Sequence, residues 1–99
     1  FWTAAAGGVE WDRAPDAALD SSRAPLHRWF PGGRMNTSWN ALDRHVRDGR
    51  GDQAALVYDS AVTGVARTYT YAALLDETAR VAGALARLGV GRGDRVVVY

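Results

Sequence analysis

Residues 54–88, AALVYDSAVTGVARTYTYAALLDETARVAGALARL, change from one hydrophobic pattern to another partway along. The runs AALVYD and VARTYTY are rich in β-branched and aromatic residues, and the turn-prone SAVTG separates them, which predicts a β-hairpin. Leu56 and Tyr58 are expected on one face of the first strand, together with Tyr69 and Tyr71 of the returning strand. The pattern then takes on a helical period, so a helix is predicted to follow the hairpin directly.

The predicted helix has a start signal and a stop signal. Thr70 can cap its first turn, and Gly89 follows its last residue, near Leu88. Its apolar positions step by four or three residues, which predicts one continuous buried stripe: Leu74, Thr78, Val81, Leu85 and Leu88. A tight GRGD turn and the apolar run RVVVY follow, and RVVVY is typical of a buried strand. Hairpin, helix and strand in this order predict the beginning of an α/β sheet.

The segment upstream, RWFPGGRMNTSWNALDRHV at residues 28–46, combines aromatic residues with a sharp corner. Pro31 biases Phe30 toward extended backbone, whereas Gly32 and Gly33 allow a reversal of the chain. A helix is predicted after this corner and is expected to end at Gly49. Its signals are a cap at Asn36, Thr37 or Ser38, an apolar face of Trp39, Leu42 and Val46, and an i,i+4 pair of Asp43 and Arg47.

All four tryptophans lie within the first forty residues. Two interpretations are open for them: aromatic anchors that cover a surface, or a platform on which bases or sugars stack. A stacking platform is expected to have a basic groove beside it, and here the arginines alternate with acidic residues. The packing interpretation is therefore favoured.

The composition excludes several classes of function. A net charge of +1 gives no field that would attract nucleic acid, and the absence of cysteine excludes disulfide frameworks, cysteine-ligated zinc and thiol catalysis. We find neither a signal peptide nor an apolar run long enough to cross a bilayer. A cytoplasmic location without a membrane partner is expected. Since the chain begins with Phe1 and stops within RVVVY, we also expect it to be a piece of a longer protein.

Neither histidine predicts a reactive site. His45 has no partner of known geometry and is interpreted as a hydrogen-bonded core residue. His27 and His45 lie too far apart in the sequence for a local metal-ligand pair, and no carboxylate cluster completes a site.

Two glycine-rich motifs are interpreted as turns. GVGRGD at residues 89–94 has glycines spaced like a phosphate loop, but a phosphate loop lies between a strand and a following helix, and here the predicted helix comes first. The two Arg-Gly-Asp tripeptides, at residues 50–52 and 92–94, match integrin ligands in letters alone. Turn chemistry explains both tripeptides, and cell adhesion remains a formal alternative.

The motifs together are similar to a known family. In order and spacing, they resemble the N-terminal portion of the acetyl-CoA and propionyl-CoA synthetase family, and within that family the propionyl-CoA synthetases in particular. The matching stretches are VEWDRAPD, LDSSRAPLHRWFPGGRMNTSWNALDRHV, GDQAALVYDSAVTGVARTYTYAALLDE and LGVGRGDRVVVY. The resemblance covers essentially the whole chain. It implies an α/β fold, here a partial N-terminal subdomain of an adenylate-forming enzyme. Residues 1–48 would be the N-terminal wrapping segment and helix, and residues 49–99 the beginning of the AMP-binding domain.

The resemblance implies a two-step ligase reaction in the longer protein. A short carboxylate, propionate or acetate, attacks the α-phosphate of Mg-ATP to form an acyl-adenylate, and coenzyme A then displaces AMP. The chain contains no lysine and ends before the family's phosphate loop, adenine and acyl pockets and coenzyme A contacts. No catalytic, cofactor-binding or metal-ligating residue is therefore assigned within residues 1–99, and this piece alone is expected to be inactive and to bind no cofactor. Its partner would be the remainder of its own chain.

The resemblance assigns supporting roles instead. The matching positions of the wrapping segment are Trp29, Phe30, Gly32, Gly33, Asn36, Leu42, Asp43, Arg44 and His45. The family often has glutamate where this chain has Ala73, so half of a capping box is missing, at a cost of about 0.5–1 kcal/mol. Acetyl-CoA synthetase activity is the alternative within the family, and a non-enzymatic, aromatic-rich binding module is the alternative outside it.

Overall fold

The computed structural model describes residues 1–99, and its backbone divides into two units, Phe1–Arg44 and His45–Tyr99. The first unit is called unit 1 and the second unit 2. Helices and small antiparallel sheets occur together, as an α/β segment requires.

Unit 1 is built mainly from loops held by a few short elements. These are α1 (Trp2–Ala6), β1 (Leu19–Asp20) paired antiparallel with β2 (Arg28–Trp29), and the π-helical turn α2 (Trp39–Asp43). A single antiparallel bridge joins Arg13 to Arg34. Leu42 is the one buried apolar residue of the chain, with 9% of its surface exposed. Because the core is so small, each contact of Leu42 contributes a large share of the free energy of unfolding.

The predicted corner is present as a type II turn. The N–H of Gly33 donates to the carbonyl of Phe30 at 3.1 Å, with Pro31 and Gly32 at the two central positions. Gly32 has a φ of 75°, the value that a type II turn requires at its third residue. The proline and the glycine thus reverse the chain, as the sequence indicated.

The prediction for Phe30 is wrong, because its φ is +49° and therefore in the left-handed region. Its N–H donates to the carbonyl of Ala18 at 3.0 Å, and its ring packs 5.7 Å from Trp11 and 6.1 Å from Trp29. The contacts with Ala18 and Trp11 come from residues distant in the sequence, and they outweigh the local preference that Pro31 imposes.

Gly33 lies where a side chain cannot fit. A Cβ atom there would lie 2.9 Å from the Trp11 ring, 3.1 Å from the Phe30 carbonyl oxygen and 3.2 Å from Pro15. Gly33→Ala should therefore lower the free energy of unfolding of unit 1 by about 1–3 kcal/mol, as overpacking does elsewhere. Chemical denaturation followed by tryptophan fluorescence measures the loss. Gly8→Ala is the control, since its Cβ would meet only the Ala5 carbonyl oxygen at 3.4 Å; equal losses in both variants would contradict the prediction.

The start of the predicted upstream helix is confirmed. Helical backbone begins at residue 37, and the Asn36 side chain accepts a hydrogen bond from the Trp39 N–H at 3.1 Å, so Asn36 is the cap among the three candidates. Gly49 has a φ of 79°, the left-handed value expected at a helix end. The helical hydrogen-bond pattern nevertheless continues to Arg50, within the π-helical turn α3 (Val46–Arg50).

The predicted hairpin is confirmed in unit 2. Strands β3 (Ala54–Ser60) and β4 (Val65–Thr70) pair antiparallel, with Leu56 opposite Tyr69. A bulge at Ala55 shifts the register at the open end. Tyr71 is not part of the strand, contrary to the prediction, because it is the first residue of the next helix.

That helix, α4 (Tyr71–Arg87), has both predicted end signals. The Thr70 hydroxyl oxygen accepts a hydrogen bond from the Ala73 N–H at 3.2 Å. At the other end, Gly89 has a φ of 84°, and the N–H groups of Gly89 and Val90 donate to the carbonyls of Ala86 and Leu85. These two hydrogen bonds form a Schellman motif. The sequence indicated it by a glycine after the last apolar position of the helix.

Two burial predictions for this region are wrong. The helix stripe is not buried throughout: Leu74, Thr78 and Leu85 are half-buried, whereas Val81 is 58% exposed and Leu88 is exposed. Residues 95–99 form no strand, and Val98 is 88% exposed. A strand requires a neighbour for its N–H and carbonyl groups, and β3 and β4 pair only with each other.

Candidate functional site

Three of the four tryptophans of unit 1, Trp2, Trp11 and Trp29, form an aromatic cluster with Phe30. Trp2 meets Trp29 edge to face at 5.4 Å between ring centroids, and Trp11 and Trp29 both contact Phe30. The Trp11 indole N–H donates to the carbonyl of Ala6 at 2.8 Å, which ties the cluster to the end of α1. Since the rings contact one another, the structure supports the packing interpretation.

A polar clamp connects the start of α2 to the segment at Glu10. The Asn40 side chain accepts from the Glu10 N–H at 2.8 Å and donates to the Glu10 carbonyl at 2.9 Å. The Trp39 indole N–H donates to the Glu10 carboxylate at 2.6 Å. The Arg44 guanidinium donates to the Gly8 carbonyl at 2.8 Å. The four residues Glu10, Trp39, Asn40 and Arg44 are called the clamp.

The clamp has a structural role. Side chains of α2 and of Arg44, which follows it, hold the segment at Gly8 and Glu10, which has no secondary structure of its own. Sequence reasoning did not single out Glu10 or Asn40. A signal existed, because asparagine within a helix is unfavourable unless its side chain binds backbone groups.

His27 belongs to unit 1 and His45 to unit 2. No group of three or more histidine, aspartate or glutamate side chains is placed to hold a metal. The ring of His45 lies 4.7 Å from the ring of Tyr71, and its Nδ1 lies 3.1 Å from a guanidinium nitrogen of Arg50. His45 is thus hydrogen-bonded, as predicted, but it is only half-buried and not a core residue, and its ring is tilted by 46° against the ring of Tyr71.

The GVGRGD motif forms a turn that uses its own backbone donors. The Asp94 carboxylate accepts from the Gly91 N–H at 2.7 Å, and the Asp94 N–H donates back to the Gly91 carbonyl at 3.2 Å. Gly93 has a φ of 97°, as a type II turn requires at its third residue. Since α4 precedes the motif and no helix follows it, the turn lacks the arrangement of a phosphate loop.

Unit 2 has an open surface that is largely apolar. Two adjoining depressions, of about 340 and 400 Å³, share Leu74 and Glu77 and extend from the hairpin along α4. We call this surface the apolar face; Glu77 lies where the two depressions join, and the other lining residues are Leu56, Tyr58, Tyr69, Leu74, Thr78, Val81, Ala82 and Leu85. Continuous exposed apolar surface of this kind marks a contact with other protein.

The polar atoms on the apolar face are satisfied locally. The Thr78 hydroxyl donates to the Leu74 carbonyl at 2.8 Å, which allows threonine within an apolar stripe. Hydrogen bonds with the Ser60 hydroxyl, and secondly with the Thr63 hydroxyl, hold the pKa of Tyr58 below its usual value. A hydrogen bond to Tyr69, at 3.2 Å, raises the pKa of Arg67. None of these groups forms an acid–base pair or a nucleophile with a base, so the face is suited to docking.

The apolar face should make this chain associate and bind hydrophobic dyes. Val81→Glu adds a second negative charge to this face, one helical turn after Glu77, so we expect lower dye fluorescence and self-association weakened by about tenfold, the equivalent of losing one buried valine. Dye titration and analytical ultracentrifugation measure both effects. Ala79→Glu is the matched control, because Ala79 is exposed on the opposite side of α4. If the parent chain is a monomer without dye binding, the prediction is contradicted.

Two protein-family models match the chain end to end. The model described as "Acetyl-coenzyme A synthetase N-terminus" matches residues 1–41, and the model described as "AMP-binding enzyme" matches residues 42–99. The boundary between them falls within α2.

Curated relatives match over the full length of the chain. An uncharacterized protein of Pseudomonas aeruginosa is 52% identical over 99 residues. The mitochondrial acyl-CoA synthetase short-chain family member 3 of Homo sapiens is 39% identical over 99 residues, and an acetyl-coenzyme A synthetase of Burkholderia thailandensis is 45% identical over 100 residues. The chain is covered completely in each comparison but spans only 16%, 14% and 15% of these relatives, respectively.

No helix of the chain has the length and apolar character needed to cross a membrane.

Proposed function

This chain belongs to the AMP-binding enzyme family, and from that membership we propose that it is the N-terminal portion of an ATP-dependent short-chain acyl-CoA synthetase. The observation that carries the proposal is the order of the two family matches. An acetyl-coenzyme A synthetase N-terminus is followed, without a gap, by the start of an AMP-binding enzyme. The names of the human and Burkholderia relatives support the same reaction class.

The reaction proposed for the longer protein is an acid–thiol ligation in two steps. The carboxylate oxygen attacks the α-phosphorus of ATP, and the bond to pyrophosphate breaks. The thiol sulfur of coenzyme A then attacks the acyl carbon, and AMP leaves. Catalysis of this type depends on positioning the reactants and on neutralising the negative charge of the phosphates. Mg²⁺ would supply part of the neutralising positive charge.

Residues 1–99 are proposed to support this reaction without touching substrate. The clamp and the aromatic cluster order the wrapping segment, for which we propose residues 1–48. Residues 49–99 would begin the AMP-binding domain, with the apolar face receiving later parts of the same chain. Catalytic, nucleotide and metal contacts are assigned outside these residues, and a cytoplasmic location is proposed.

Propionate is the proposed acyl substrate, on the strength of the wrapping segment's resemblance. One more methylene in a hydrophobic pocket contributes roughly 1–3 kcal/mol, so kcat/KM for propionate should exceed that for acetate by about tenfold to two-hundredfold. Acetate should still react. Steady-state kinetics of the full-length protein with both acids measures this ratio.

Acetyl-CoA synthetase activity is the second candidate, favoured by the name of the Burkholderia relative. A kcat/KM for acetate equal to or above that for propionate would support it and refute the propionate assignment. If the full-length protein activated neither acid in pyrophosphate exchange, the ligase proposal itself would fail and the binding-module alternative would stand.

A further inference from the structure

A side-chain hydrogen bond spans the break in α3. Gly49 has left-handed backbone, with φ 79° and ψ 14°, inside an otherwise helical turn. His45 precedes the break and Arg50 follows it, and the His45 Nδ1 lies 3.1 Å from the Arg50 Nη1. The bond therefore connects the two sides of the kink that the left-handed backbone of Gly49 introduces.

The donor and acceptor groups of this hydrogen bond determine the tautomer of the neutral His45 ring. A guanidinium group has five N–H donors and no acceptor, so it can only donate. The Nδ1 of His45 must then be the acceptor, and in a neutral imidazole the hydrogen is on Nε2.

Arg50 is held from three sides. Its Nε donates to the Gln53 side-chain oxygen at 2.7 Å, and its guanidinium carbon lies 5.4 Å from the centroid of the Tyr71 ring. The His45 ring contacts the same tyrosine. One guanidinium thus joins the end of α3, the following loop and the first residue of α4.

The loop that Arg50 orders caps the beginning of α4. The carbonyl of Gln53 accepts from the Tyr71 N–H, and the carbonyl of Gly51 accepts from the Ala72 N–H, both at 3.0 Å. With Thr70 accepting from Ala73, the first three N–H groups of α4 all have partners. The orientation of α4, which carries most of the apolar face, depends on this loop.

We propose that His45, in its Nε2–H tautomer, is the acceptor that bridges the kink at Gly49 and holds the 50–53 loop on the N-terminus of α4. His45 is a positioning residue that acts through Arg50. The proposal does not depend on the ligase reaction, so failure of the one leaves the other intact.

Nitrogen NMR of the 99-residue chain labelled with ¹⁵N-histidine tests the tautomer directly. The chain has two histidines, and a His27→Asn variant identifies the signals of each. We expect His45 to show one tautomer with unprotonated Nδ1, and exposed His27 to show the tautomer mixture of a free imidazole. Equivalent signals for the two rings, including those of an unfolded chain, would overturn the proposal.

Two substitutions then separate the acceptor from the ring. His45→Phe keeps an aromatic ring beside Tyr71 but has no acceptor, whereas His45→Asn keeps an oxygen acceptor at the δ position without the ring. Loss of the bond in His45→Phe should speed amide exchange at Tyr71 and Ala72 by roughly three- to tenfold, and His45→Asn should restore protection. Unchanged exchange in His45→Phe, or no restoration by His45→Asn, would refute the acceptor role.

Discussion

Leu42→Ala is expected to lower the free energy of unfolding of unit 1 by about 2–4 kcal/mol. Leu42 is the only apolar residue of the chain in the buried class. Truncation to alanine removes the free energy gained by burying the leucine side chain and leaves a cavity. A unit with a core this small has no second buried cluster to maintain its packing. Urea denaturation followed by tryptophan emission measures the change, because all four tryptophans lie in this unit.

Leu26→Ala is the matched control for Leu42→Ala. It removes the same atoms from a residue of unit 1 that is 76% exposed, so the free energy of unfolding should change by less than about 0.5 kcal/mol. Equal shifts of the urea midpoint in the two variants would show that Leu42 is not the centre of the packing.

Asn40→Leu is expected to lower the free energy of unfolding of unit 1 by about 2–4 kcal/mol. The substitution removes both hydrogen bonds to the backbone of Glu10, and the leucine methyl groups would cover the N–H and the carbonyl that Asn40 satisfies. Covering polar groups without a partner costs more than the bonds themselves contributed. The same denaturation assay measures the effect.

Asn36→Ala provides the comparison, since Asn36 is the other asparagine in the chain and makes one cap bond. Loss of a cap costs about 1 kcal/mol. The clamp interpretation therefore requires a distinctly larger effect at Asn40 than at Asn36. A smaller effect at Asn40 would mean that water replaces the clamp at little cost.

Local chemistry explains the predictions that the structure confirms. The cap at Thr70, the Schellman motif after Leu88 and the type II turn at Pro31 each depend on residues within five positions of one another. A short segment contains all the atoms that such a motif needs, so its sequence is sufficient evidence. The hairpin belongs to the same class, because a four-residue connection, residues 61–64, brings its strands together.

For the candidate site, the sequence predicted the turn at residues 89–94 but not the contacts between distant residues. The order of helix and glycines argued against a phosphate loop, and the turn at Asp94 agrees with that argument. The clamp could not be predicted, because Glu10 and Asn40 are separated by 30 positions and only the folded chain brings them into contact. The His45–Arg50 bond was missed for another reason: a left-handed glycine lies between the two residues and changes the spacing that a regular helix would give.

The sequence by itself therefore determined the hairpin, the turn at Pro31, the cap at Thr70, the helix end at Gly89 and the family resemblance, since these depend on patterns along the chain. Tertiary structure alone decided the left-handed backbone of Phe30, the clamp, and which face of α4 is exposed. Burial is a property of neighbours in space: the same apolar stripe is half-covered at Leu74, against the hairpin, and 58% exposed at Val81. A hydrophobic pattern predicts which residues favour burial, but contacts from distant segments determine whether that burial occurs.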